Sequence, residues 1–494
     1  MSAVIQLVKV HPNDNVAVAT QPLVPGTVIN TENLTVEEAI PAGHKVALTS
    51  VDKGQVIIKY GFEIGEATEN IRQGEHVHSH NLETKLNGTE TYSYHPVSAS
   101  QGPQLPRQQF FGYRRENGKV GIRNEIWIIN TVGCVNRAAE RIADECSRRF
   151  TGECDGFRAF THPFGCSQLG DDLDDTRTIL SSLASHPNAG AVLIIGLGCE
   201  NNQLASMLPQ VDKPEHRVKF YNAQEVENEI EEGVSAVLQL LTVIAGDKRE
   251  PIDASELVLG MKCGGSDAFS GITANPTVGR VTDLMCQLGG SVILTETPEM
   301  FGAEQLLMNR AKNENVFQEF NHLITAFKDY FIAHNQPIYE TPSPGNKAGG
   351  LTTLEEKSLG AVQKGGQSTI QSILNYGEPR KEKGLSLLQA PGNDAVSATA
   401  LAASGAHIVL FTTGRGTPLG FPVPTIKISS NSDIANKKPH WIDFNAGKVL
   451  EGTSIDKCAS ELLHHCLAVA SGQQTCNEKN GSHEIAIWKR GVTL

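Results

Sequence analysis

From residue 111 onward, short apolar runs alternate with amphipathic stretches, and nothing else in the chain constrains its fold as tightly. The runs are EIWIINT (125–131), GFRAFT (156–161), AVLIIG (191–196), VKFYN (218–222), ELVLGM (256–261), SVILTE (291–296), GLSLLQA (384–390) and HIVLFTT (407–413). Helix-period segments such as NRAAERIADECSRR and DDTRTILSSLAS stand between them. Strands this uniformly apolar have no wet face. The pattern therefore predicts parallel sheets covered by helices on both sides.

The first 82 residues read differently. AVIQLVKV, NVAVAT, KVALTS, QVIIKYG and EHVHSHN are short strands separated by Pro25-Gly26, Ala42-Gly43, Lys53-Gly54 and Gln73-Gly74. This is a small all-β module. Residues 83–110 are polar, rich in Ser, Pro and Gly, and without period, as a linker would be. A chain of 494 residues exceeds one ordinary core. The remainder divides near 246–255 into a middle α/β domain, 111–250, and a C-terminal α/β domain, 251–494. The expected class is thus α/β with a small N-terminal all-β domain.

The formal net charge of -13, with no basic stripe, argues against nucleic acid as a partner. An anionic substrate needs local arginines, lysines or a metal. No apolar run approaches the roughly 20 residues of a membrane span, and the start lacks the features of a signal peptide, so the cytoplasm is expected. Ten cysteines without a CxxC pair suit neither a disulfide scaffold nor a zinc knuckle. GxGxxG is absent, which removes the nicotinamide fingerprint.

Four cysteines share one setting. Cys134, Cys166, Cys199 and Cys263 each sit just past the carboxyl end of an expected buried strand, beside glycines. That edge of an open α/β sheet is where ligands bind. A following helix favours thiolate there, and soft thiolates suit iron or zinc. His162 offers a nitrogen donor and Glu200 an oxygen. Ser266, Asp267 and Asn275, in the loop after Cys263, offer polar groups to a polyol or carboxylate. Asn346 and Lys347 lie between glycines, where a lysine binds an anion or acts as a base. Arg415, between Gly414 and Gly416, suits bidentate carboxylate recognition. Glu296 and Glu299 follow a strand, where one could be a metal ligand or a base, or simply a helix-capping acid. His76, His78 and His80 alternate, so a strand would turn all three to one side.

GCSQLGDD, GLGCENNQ, CGGSD, SGITANP, PEMFGAEQLLM, PSPGNKAGG, FTTGRGTP and QTCNE are long motifs spread over the whole chain. Together they resemble the altronate/galactarate dehydratase family, and HVHSHN fits its altronate branch. The galactarate branch matches at Cys134, His162, Cys166, Cys199, Glu200, Cys263 and Asp267, and departs at the histidine face and at TCNE. The resemblance implies a SAF-type β-clip domain, a linker, a middle region used in dimerisation and a Rossmann-like C-terminal domain. It also implies iron-dependent dehydration of a small aldonate by a homodimer: D-altronate would lose its C2 proton and 3-hydroxyl to give 2-dehydro-3-deoxy-D-gluconate. Galactarate-type dehydration and non-catalytic sugar-acid binding are the alternatives. On this reading Cys134, His162, Cys166, Cys199 and Cys263 are the metal ligands, for mononuclear Fe2+ or alternatively an iron–sulfur cluster. His76, His78, Glu296 and Lys347 are the catalytic candidates, and Ser266, Asp267, Asn275, Asn346 and Arg415 the substrate-binding ones.

Overall fold

The structure, a computed structural model, describes residues 6–88, 90–97 and 105–494. The apolar runs become two separate parallel sheets. The first is four-stranded: β1 (Glu125–Asn130), β2 (Phe157–Phe160), β3 (Ala189–Gly196) and β4 (Val218–Asn222), in the order β2-β1-β3-β4. Every residue of β1 and β3 is buried, as helices on both faces require. The second has seven strands: β5 (Val258–Cys263), β6 (Ser291–Leu294), β7 (Ile370–Leu374), β8 (Gly384–Leu388), β9 (Ile408–Thr413), β10 (Thr425–Ser429) and β11 (Phe444–Asn445). Their order, β7-β8-β6-β5-β9-β10-β11, puts β5 at the centre.

Between the sheets, Gln109–Arg114 pairs antiparallel with Glu250–Asp253, closing the middle part of the chain on itself. The expected division at 250/251 falls inside this second strand.

The N-terminal residues form small antiparallel sheets. One joins Leu7–Val8, Val16–Ala19, Lys45–Ala47 and His76–Val77; another joins Val56–Lys59, Phe62–Ala67 and Leu82–Glu83. This module docks on the C-terminal domain through buried groups. Thr353 Oγ1 donates to the Ile64 carbonyl at 2.5 Å, and Lys45 and Lys59 reach Glu356. The stretch expected as a linker is no loose tether over its described part. The Thr84 hydroxyl donates to the Glu355 carboxylate, Tyr92 to Glu304, and Tyr94 to the Ala311 carbonyl. Its polar residues have no period because they bond one by one to another surface.

Candidate active site

In a parallel sheet all carboxyl ends share one edge, and in the seven-stranded sheet that edge carries most of the polar residues read from the sequence. Lys262 and Cys263 end β5, Glu296 follows β6, Arg415 follows β9, and Ser430 and Asn431 follow β10. Two short helices, α1 (Pro344–Ala348) and α2 (Leu354–Ala361), lie beside it, and the β module covers it. The module closes there on a cavity of only about 10 Å³, lined by Tyr60, Cys263, Asp267, Asn275, Glu356 and Lys357, so this cleft admits a molecule larger than water only when the module lifts.

Its floor is a buried ion network. Glu296 accepts from Lys262 Nζ (2.6 Å) and from the Cys263 N–H (2.9 Å). The Cys263 thiol donates to Glu299 (3.0 Å), and Lys364 Nζ donates to Cys263 Sγ (2.8 Å). Lys357 pairs with Glu299 at 2.8 Å and Lys262 with Asp394 at 2.8 Å. Burial, then Glu296 and Glu299, push the thiol well above its usual range, so it stays protonated. Despite complete burial, Lys357, Lys364 and Lys262 hold Glu299 down to about 2.

The Cys263 sulfur and the Glu296 and Glu299 carboxylates lie within 4.8 Å of one another, the one group of three metal-ligand types this close among the described residues. The three form a candidate metal-binding triad. Three ammonium groups balance Glu296, Glu299 and Asp394, and Lys364 bonds the sulfur, so an ion bound there would displace Lys364 and take the place of the thiol proton.

A second buried cluster joins the β module to α2. Lys45 Nζ (2.8 Å) and Lys59 Nζ (2.7 Å) each donate to one oxygen of Glu356, whose Oε2 also accepts from Thr352 Oγ1 (2.6 Å). Two ammonium groups face one carboxylate, so the cluster carries a surplus positive charge. Burial pulls Lys45 down to about 8, whereas Glu356 holds Lys59 up against the same desolvation.

The histidines form a third group. Only His76–Val77 is strand, yet the rings do gather. His76 lies 5.4 Å from both His78 and His80 between ring centroids, and His44 joins them, sharing a 2.9 Å hydrogen bond with His76. His78 Nε2 bonds to the Lys347 carbonyl at 2.9 Å, seating the group on α1. Burial, then the neighbouring imidazoles, draws His76 down to about 3, and burial draws His78 down to about 4. Lys45 adds to both shifts, while Glu356 opposes that of His78. An undocked imidazole takes its proton near pH 6.5. These groups therefore favour the docked state above that pH, and the contribution is lost as pH falls from about 6.5 toward 4. A His76→Asn, His78→Gln double variant should lose less stability than the parent over that range. Denaturation midpoints that fall equally in both proteins would contradict this.

The other sequence-derived residues are placed as follows. Asp267 is buried and accepts from Ser270, Ser430 and Asn431, clamping the loops after β5 and β10 together. Asn346 caps α1 through Ser343 and donates to the Ser266 carbonyl. Arg415 is exposed and bonds the Gly345 carbonyl with Nη1 (3.1 Å). Lys347 is half-buried in α1.

Cys134, Cys166 and Cys199 belong to the other sheet. All three are exposed, on loops after β1, β2 and β3, the three adjacent strands. Backbone bonds lock these loops together: Gly133 N to Phe164 O (2.9 Å) and Asn202 N to Gly165 O (3.0 Å). Glu200 is a buried brace that accepts from Thr131, Leu197 and Gly198. His162 has both ring nitrogens engaged, Nε2 with the Asn130 carbonyl and Nδ1 with the Phe164 N–H. Cys263 is not part of this group; it lies at the carboxyl end of the second sheet.

Sequence reading missed Tyr60, Lys262, Glu356, Lys357 and Lys364. Lys262 had a signal, a lysine ending the apolar strand VLGMKC. The α2 residues look like a solvated helix face and are buried only because the β module lies over them.

Family models match all three parts of the chain. The altronate/galactarate dehydratase SAF domain matches residues 5–85, the D-galactarate dehydratase/altronate hydrolase second domain 112–245, and the D-galactarate/altronate dehydratase C-terminal domain 254–493. The chain belongs to the altronate/galactarate dehydratase family. It is 50% identical to altronate dehydratase of Escherichia coli (strain K12) over 495 residues, 99% of this chain and 100% of that one. It is 50% identical to altronate dehydratase of Bacillus subtilis (strain 168) over 494 residues, 99% of each. Galactarate dehydratase (L-threo-forming) of Escherichia coli (strain K12) is 34% identical over 507 residues, 97% of this chain and 96% of that one.

Proposed function

We propose that this enzyme dehydrates D-altronate to 2-dehydro-3-deoxy-D-gluconate and water in the cleft between the β module and the C-terminal domain. The identity to the two altronate dehydratases, well above that to the galactarate enzyme, supports the substrate. The surplus positive charge of Lys45 and Lys59 beside the cleft carries the placement, because an acidic chain must build a local positive field to draw an aldonate in. Ser266, Asp267 and Asn275 supply a polar wall for the hydroxyls. Loss of the C2 proton spreads negative charge onto the substrate carboxylate. Lys357, on the cleft wall and held protonated by Glu299 against its burial, donates to that charge in a site closed to water. The 3-hydroxyl then leaves, and the enol becomes the 2-keto acid.

Fe2+ is proposed for Cys134, Cys166 and Cys199, exposed soft donors on loops after three adjacent strands, whose sulfurs do not all lie within 4.8 Å of one another and would have to draw together around one ion. When bound, iron supplies a Lewis acid. Cys166→Ser and Cys199→Ser should each lose iron, and Cys286→Ser should keep it; metal analysis after anaerobic loading decides, and full iron in both would contradict the placement. Sulfide analysis separates single iron from a cluster. A homodimer in the cytoplasm belongs to the same proposal; among the described residues no helix is long and apolar enough to cross a membrane.

The test of function is 2-keto acid release from D-altronate and from galactarate. Preference for D-altronate is expected. No keto acid from D-altronate would refute the reading.

A further inference from the structure

Tyr60 stands at the tip of the hairpin that joins Val56–Lys59 to Phe62–Ala67, with Lys59 paired opposite Phe62. The turn thus has two residues, Tyr60 and Gly61, and both have positive φ, 60° and 79°. Such turns favour Asn-Gly, because the first position is left-handed. A bulky side chain there costs on the order of 1–2 kcal/mol of backbone strain. Strain of this kind persists where the surroundings impose it, and it gathers at functional sites. Among the described residues only four other non-glycines have positive φ: Asn33, Asn335, Glu296 and Ser167. Asparagine tolerates that region. Glu296 lies in the floor of the cleft, and Ser167 adjoins Cys166.

The strain aims one atom. The Tyr60 hydroxyl leaves the β module and enters the C-terminal domain between two glycines. A Cβ built on Gly271 would stand 2.2 Å from it, and one on Gly360 3.4 Å. It lines the cleft with Cys263, Asp267 and Lys357. It is buried and has no partner at hydrogen-bond distance, with only the Lys59 ammonium approaching it. A buried phenol without a partner forfeits about 1–3 kcal/mol, so the orphan points to a group that arrives with the substrate. Lys59 Nζ lies 4.8 Å from the ring centroid and pairs with Glu356.

We infer that Tyr60 is the general acid of the dehydration, carried into the site by the β module. This rests on the dehydration proposed above. The C2 proton passes to the Asp267 carboxylate on the cleft lining; the electrons left behind then form the C2=C3 bond, the C3–O bond breaks and its electron pair stays on O3. The phenol proton passes to O3 and water leaves. The tyrosinate, facing the Lys59 ammonium, is reprotonated from solvent when the site opens. Burial holds the phenol protonated at neutral pH, the form an acid needs, and Lys59 opposes only part of that shift.

Tyr60→Phe keeps the ring and removes the proton. Its kcat on D-altronate should fall about 10²- to 10⁴-fold, the range for a lost general acid, with KM and melting unchanged. On 3-deoxy-3-fluoro-D-altronate, whose leaving fluoride needs far less protonation, the gap between parent and variant should nearly close. A variant as active as the parent, or an equal loss on both substrates, overturns the inference. If Tyr60→Phe does not fold, 3-fluorotyrosine at position 60 replaces it. Its more acidic phenol should move the alkaline limb of the kcat–pH profile downward, and an unmoved limb overturns the inference as well. A parent enzyme that forms no keto acid would instead refute the dehydration itself.

Discussion

Glu356→Gln should destabilise the docked protein by about 3–5 kcal/mol, the cost of removing one partner from a buried ion pair. The reason lies in the charge count. Glu356 is fully buried and serves two lysines from the β module. Glutamine keeps the shape but leaves two ammonium groups in the seam with no anion. They must shed protons, or the module must lift. The β module should then become open to protease while the C-terminal core stays folded. Lys59→Met makes the informative contrast. It removes a single hydrogen bond and leaves Lys45 and Glu356 matched one to one, so it should cost less than Glu356→Gln. It should also weaken D-altronate binding, because the surplus charge is gone. Equal stability losses in the two variants would mean that packing, not charge, holds the seam.

Lys357→Met should lower kcat/KM about 10²- to 10³-fold, as losing one preorganised donor to a developing anion does. Lys357 makes two contacts, with Glu299 and with the Thr341 hydroxyl. If it merely braced the helix, the variant would melt lower and its folded fraction would turn over normally. On the present account the melting temperature falls, because the buried network loses a cation, and the fraction that stays folded also turns over slowly. Lys357→Arg keeps the charge but forks it, so it should recover part of both losses. Normal turnover by the folded fraction of Lys357→Met would favour the brace.

What the sequence made legible follows from where the information sits. A buried parallel strand needs a continuous apolar run, and β1, β3, β5 and β9 were plain for that reason. β7 and β10 are harder to read, because IQSIL and TIKIS interleave polar residues with apolar ones. The loops after strands carried polar residues in apolar surroundings, which marked Cys263, Asp267, Glu296 and Arg415. Glu356 is hidden for the opposite reason. A charged residue at helical spacing normally faces water, and this one is buried by a module more than 290 residues away in sequence, as the Lys59–Glu356 pair shows. Tyr60 left a local trace, KYG at a hairpin turn where Asn-Gly is usual, whose meaning needs the turn's dihedral angles.

The central claim is that substrate lies in the seam, with the β module completing the site. Diffraction from crystals of the reduced enzyme soaked with 3-deoxy-D-altronate, which has no 3-hydroxyl to lose, tests it directly. The account predicts the aldonate between Tyr60 and Lys357, with its carboxylate on Lys357 and its 3-hydroxyl toward Tyr60. An aldonate seated instead on the exposed thiols of Cys134, Cys166 and Cys199 would contradict it.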